Sequence, residues 1–149
     1  MTTAYQIAER FVGMEEVPGH ADNAAILAML RLDAAWPRHD EVPWCSAFIN
    51  YVCWLLRLPR SKSLAARSWL GVGKAIELVD AMPGHDVVVL ARGGGNQPGP
   101  EVLDAPGHVG FFSGLGDGGY VQILGGNQHN SVSVAPYPVE RVLGVRRLA

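Results

Sequence analysis

Residues 43–59, PWCSAFINYVCWLLRLP, decide how the chain is read. Phe48, Ile49, Val52, Leu55 and Leu56 recur at the spacing of one helical face and predict a helix from about Cys45 to Arg57. Pro59, which cannot continue a helix, stops it. Cys45 therefore falls in the first turn, directly after Pro-Trp. The N–H groups of a first turn lack intrahelical partners and carry partial positive charge. Both effects stabilise a thiolate, and the same N–H groups can hold the oxyanion formed when a thiolate attacks a carbonyl. The competing reading of Cys45 is a small buried hydrophobe, which free cysteine commonly is. Cys53, two turns on among Val52, Trp54 and Leu56, reads as core. Eight helical residues at about 1.5 Å each separate the thiols by about 12 Å, whereas a disulfide needs Cα atoms within about 7 Å.

Working outward, the N-terminal half reads as helical. Thr3 and Gln6 fit a capping box, Ala4, Ile7, Ala8, Phe11 and Val12 follow at helical spacing, and Gly13 closes that helix. Asn23 caps a second helix through Leu32, and residues 33–44 read as a loop. Ser63 is expected to cap a fourth helix containing Ala66, Trp69 and Leu70. After that the period changes. Val87–Leu90, His108–Ser113, Tyr120–Leu124, Ser131–Ala135 and Arg141–Arg147 read as short strands separated by turn residues. Helices first and strands second imply an α+β fold with an antiparallel sheet. With 149 residues and no linker between apolar blocks, residues 1–149 are expected to form one domain.

Composition narrows the function. Hydrophobic residues are 48% and charged residues 17%, which excludes disorder. A net charge of −2 argues against nucleic-acid binding and against a polybasic lipid anchor. The longest apolar run, Ala47–Leu58, is interrupted by Asn50 and Arg57, so no membrane insertion is expected. The N-terminus has no apolar signal core, and the chain is expected to be made in the cytoplasm. The 18 Gly and 10 Pro exceed the ordinary usage of roughly 12% for the two together. Most of the glycine lies in the second half, where 92–100, RGGGNQPGP, reads as a mobile surface loop and 114–119, GLGDGG, as a hairpin turn.

A nucleophilic Cys needs a base. Of the five histidines, His20 and His39 lie in loops, His85 and His129 in turns, and His108 opens a strand. A rigid strand positions an imidazole better than a loop tip, so His108 is favoured. A third group fixes the imidazole tautomer. Asn127 in LGGNQ (124–128) could do so, with Gln128 a competitor and an ordinary turn the alternative reading. Glu41 could meet a substrate amine, and Trp44 and Trp69 could line a groove, although core tryptophan competes with that. The HExxH, GxSxG and paired-cysteine zinc patterns are not found, and neither metal nor organic cofactor is implied.

These blocks resemble the NlpC/P60 and CHAP branch of the papain-like cysteine amidases and peptidases, and in particular a small endolysin-type family of phage and prophage origin. The resemblance runs nearly end to end, and PWCSAF, GHVGFF and LGGNQ, in that order, are its specific blocks. It implies a papain-like fold with N-terminal helices packed on a C-terminal antiparallel sheet. It implies Cys45 as nucleophile, His108 as base and Asn127 as orienting residue, with Gln128 competing for the last role. Read on their own, Glu41, Trp44, Trp69 and Gln128 are expected on the substrate side. The implied activity is hydrolysis of an amide in the stem peptide or cross-link of peptidoglycan. The implied setting is a monomer reaching the wall after holin-dependent release, or an effector countered by an immunity protein. Two alternatives stay open: a thiol acyltransferase of the same fold, and a non-enzymatic wall-binding module.

Overall fold

The computed structural model describes residues 1–18, 22–39 and 43–149. Three helices come first: α1 (Ala4–Glu9), α2 (Ala24–Leu30) and α3 (Cys45–Leu56). A 3-10 segment, Ala66–Gly71, leads into six strands: β1 (Lys74–Ile76), β2 (Asp86–Ala91), β3 (Gly107–Leu115), β4 (Tyr120–Gln128), β5 (Ser131–Pro138) and β6 (Val142–Arg147).

Local chemistry explains the helix ends. The Thr3–Gln6 capping box forms in full at α1, and the Asn23 side chain accepts from the Ala25 and Ile26 N–H groups at α2. Trp44 precedes α3 without a side-chain cap, so the first-turn donors of α3 are left for other partners. The helix ends at Arg57 in a left-handed conformation, φ 56°, and the Leu58 N–H returns to the Cys53 carbonyl. The fourth helix expected from Ser63 is instead a 3-10 turn beginning at Ala66. Its start has no side-chain cap, because Ser63 Oγ is spent on the Ala65 N–H and its carbonyl on Ser46.

The sheet has the order β1-β6-β2-β3-β4-β5, and every neighbouring pair is antiparallel. Alternation along β2 divides its apolar run between two clusters. Val87 and Val89 join the cluster holding Phe48, Ile49 and Val52 of α3 and Trp69. Val88 and Leu90 join a second one with Phe112, Val121 and Ile123. A strand with both faces covered reads as a continuous apolar run, as VVVL does. Residues 13–16 run along the free edge of β5, with Val132 N–H bonding the Met14 carbonyl and Glu16 N–H the Asn130 carbonyl.

Strand β4 is longer than its sequence suggests. LGGNQ lies within it rather than in a turn, and the β4–β5 register shifts between Gly125 and Gln128. Gly125 faces Ser133 while Gln128 faces Ser131, so β4 carries one extra residue there. Asn127 takes the left-handed conformation at this bulge, φ 58°. The backbone also comes very close to α3. A Cβ on Gly126 would stand 2.5 Å from the Trp44 ring and 2.9 Å from Phe48 Cβ, contacts that leave no room for a side chain.

Candidate active site

Cys45 is the first residue of α3 and is 3% exposed. Several contacts fix this helix start. Ser46 Oγ donates to the Ser63 carbonyl, and the Trp69 indole N–H donates to Ser46 Oγ at 2.9 Å. Asn50, one turn on, donates to the Ser46 and Ser63 carbonyls and accepts from the Lys62 N–H. The Trp44 indole donates to Glu16 Oε1 at 2.8 Å.

His108, near the start of β3, is 7% exposed and stands beside Cys45, close enough for each side chain to act on the other's ionisation. Burial by itself pushes a thiol up. Against it act the hydrogen bond and charge of His108 and the N–H groups of Val109 and Ser46, and the Cys45 pKa comes out below its ordinary value. The converse holds for His108. Burial works to lower it, while the hydrogen bond and charge of Cys45 and the bond to Gln128 raise it. The two shifts run in the direction of a thiolate–imidazolium pair.

Gln128 decides the tautomer. Its Nε2 donates to the Ser133 carbonyl at 2.7 Å and the Ile123 carbonyl at 3.2 Å. Carbonyls only accept, so the amide can point only Oε1 at His108 Nε2, 2.9 Å away. Nε2 therefore carries the proton, and Nδ1 is the nitrogen left to share the thiol proton. A Cβ on Gly125 would stand 2.8 Å from Gln128 Oε1, so glycine there leaves the amide its place.

The expected third residue is thus corrected. Gln128, not Asn127, holds the imidazole, because the β4 bulge re-aims the side chains at the strand end. Asn127 instead lines a cavity of about 550 Å³ with His108, His129 and Tyr137. Trp44 and Trp69 are also corrected. Both are fully buried and brace the start of α3 instead of lining a groove. Glu41 and His20 lie outside the described residues. His39 is exposed and faces Asp22 at 3.4 Å. His85 has a buried Nδ1 without a partner, and its carbonyl accepts from Leu148 at the far end of β2.

Tyr137 on β5 and Arg92 after β2 were not singled out from the sequence. The Tyr137 ring stacks on His108 with centroids 5.1 Å apart, and its hydroxyl lies 3.3 Å from Nε2. Burial first and the Cys45 charge second push its phenol up to about 12. Alternation along β5 offered a weak signal for Tyr137. None marked Arg92 beyond a lone cation following an apolar strand.

A second cavity, about 540 Å³, opens on the Cys45 side between Pro43, Leu64, Ala66, Asp104 and Pro106. The thiol thus has space on one side and the imidazole on the other, as a chain-like substrate crossing the pair requires. A hollow of about 760 Å³ at the far end of α3, by Trp54 and Lys62, contains neither His nor Cys. Among the described residues no cluster of three or more His, Cys, Asp or Glu is arranged for a metal, and no helix is long and apolar enough to cross a membrane.

No family model and no curated protein matches the sequence. Among solved structures, the chain is similar to NlpC1 from Trichomonas vaginalis, with a TM-score of 0.55 at 15% identity. The likeness covers 97% of this chain and 42% of that protein, so the chain spans less than half its length. At this identity the likeness is one of fold: mixed helices and antiparallel sheet in an NlpC-type arrangement.

Proposed function

We propose that the chain is a cysteine amidase or endopeptidase that hydrolyses an amide in the peptide part of peptidoglycan. The observation that carries this reading is the buried Cys45–His108 pair, polarised in opposite directions and held in one tautomer by Gln128. The NlpC-type fold supports the substrate class.

In this mechanism the Cys45 thiolate attacks the carbonyl carbon, and the carbonyl electron pair moves to oxygen. The first-turn N–H groups of α3, which no side chain caps, offer that oxyanion its donors. As the intermediate collapses the C–N bond breaks, and His108 gives its Nδ1 proton to the leaving amine. A thioester remains. Water attacks it while Nδ1 takes the water proton, the C–S bond breaks, and the thiolate–imidazolium pair is restored. Gln128 keeps Nε2–H bonded throughout, so the ring does not rotate away from the sulfur.

The test is digestion of purified sacculi followed by mass spectrometry of the soluble fragments. The expected result is release of muropeptides with one new amine and one new carboxyl, abolished by Cys45→Ala. Undiminished release by Cys45→Ala would remove Cys45 from the mechanism. Transfer of an acyl group with no soluble fragment would point to the acyltransferase alternative.

A further inference from the structure

We propose that Arg92 is a substrate-binding residue that reads a free carboxylate next to the scissile amide, making acidic peptides the preferred substrates. This rests on the amidase reading above and adds the chemistry of the group the site recognises.

Arg92 lines both cavities, the one with His108 and Gln128 and the one with Cys45, and so borders the openings on both sides of the reacting pair. It is exposed and forms no ion pair among the described residues. Its charge reaches the site, where it opposes protonation of His108.

The backbone that presents Arg92 is fixed from both sides. Arg141 Nη1 donates to the Gly93 carbonyl at 2.7 Å and more weakly to Ala91 at 3.4 Å. Gln97 folds back to the Gly94 carbonyl at 2.7 Å. The other guanidinium lining these cavities is thus spent on the main chain, while that of Arg92 is left for a ligand. Asp104 is the carboxylate lining the Cys45-side cavity, and it makes no ion pair with Arg92. A planar guanidinium with five donors matches a carboxylate in bidentate geometry. Such a contact also anchors the acyl or amine portion against attack from the wrong distance.

The probes are two stem tetrapeptides, L-alanyl-γ-D-glutamyl-meso-diaminopimelyl-D-alanine and its analogue with the glutamyl carboxylate as a carboxamide. Wild-type enzyme is expected to favour the carboxylate peptide at least about tenfold in kcat/KM, and Arg92→Gln to bring that ratio close to one. Arg92→Lys, keeping charge but losing the fork, is expected to fall between. A wild-type ratio near one, or an unchanged ratio in Arg92→Gln, overturns the proposal. If neither peptide is cleaved, the amidase reading is in difficulty but this inference remains testable. The carboxylate peptide should then protect Cys45 from iodoacetamide at a concentration at least about tenfold lower than its analogue. Equal protection overturns it. Cleavage of the peptides with the expected ratio, but not of sacculi, would keep the inference and restrict the function to soluble peptides.

Discussion

Cys45 and Cys53 share a helix, both are free, and both are buried, yet their chemistry diverges. Burial pushes the Cys53 thiol up to about 12, with only a small opposing pull from the Arg60 charge. The same desolvation acts on Cys45, and there it loses to His108 and to the N–H groups of Val109 and Ser46. Burial therefore does not decide whether a cysteine is a hydrophobe or a nucleophile. What matters is whether the fold brings a cation and unpaired N–H groups to the sulfur. The first turn of α3 meets β3, whereas Cys53 is packed within the apolar core, so two chemically identical residues separate.

The most severe way to break this comparison is His108→Ala. It is expected to lower hydrolysis of sacculi about a thousandfold or more and to slow iodoacetamide labelling of Cys45 towards the rate of Cys53. Labelling Cys45 as fast as in wild type would mean the helix start alone activates the thiol. Gln128→Ala comes next, with a loss of about a hundredfold in kcat, because Nε2–H loses its acceptor and the tautomer is no longer fixed. Asn127→Ala should stay within about threefold of wild type, and a reversal of these two effects would restore Asn127 as the orienting residue.

The pH dependence sharpens the contrast. Cys45 ionises below its ordinary value and His108 deprotonates above its own. The rate should rise as pH climbs through the lowered Cys45 pKa, then fall as pH passes the raised His108 pKa. Between these limits iodoacetamide should label Cys45 well below pH 8, while Cys53 stays protonated until about pH 12 and does not react. Equal, slow labelling of both would leave the site without an activated thiol and favour a wall-binding module. Smaller effects fall on stability. Gly126→Ala should cost about 1–3 kcal/mol by overpacking against Trp44 and Phe48, read as a lower urea midpoint. Cys53→Ala should cost about 1 kcal/mol through lost packing and leave activity intact.

The sequence made much of this legible because the signals are local. The Thr3–Gln6 box, the Asn23 cap and the apolar face of α3 each depend on residues within a few positions of one another. The box and the cap formed, and the face formed through Phe48, Ile49 and Val52, while Leu55 is 44% exposed. The antiparallel strands and their chain order followed from period-two runs and glycine-rich turns. What escaped depended on tertiary geometry. Strand β1 is three residues long, too short to show alternation. Trp44 and Trp69 could not be assigned to core or groove without knowing what lay above them. The replacement of Asn127 by Gln128 followed from an extra residue in β4, which is visible only once β5 is paired against it. Residues 92–100 read as a mobile loop, yet Arg141, from nearly fifty residues further on, anchors the Gly93 carbonyl.

The β4 bulge also says something about which changes in length this chain can absorb. Side chains on a strand alternate, so adding or removing one residue reverses everything beyond that point. The bulge already contains one such reversal, and the Gln128 amide meets His108 as a result of it. A one-residue deletion at Gly126 or Asn127 would restore even pairing with β5 and turn the amide away from the imidazole. An insertion of the same size at the exposed His129–Asn130 turn would be taken up by solvent-facing backbone. Neighbouring positions should thus differ sharply in their tolerance of insertions and deletions, with the boundary at Gln128.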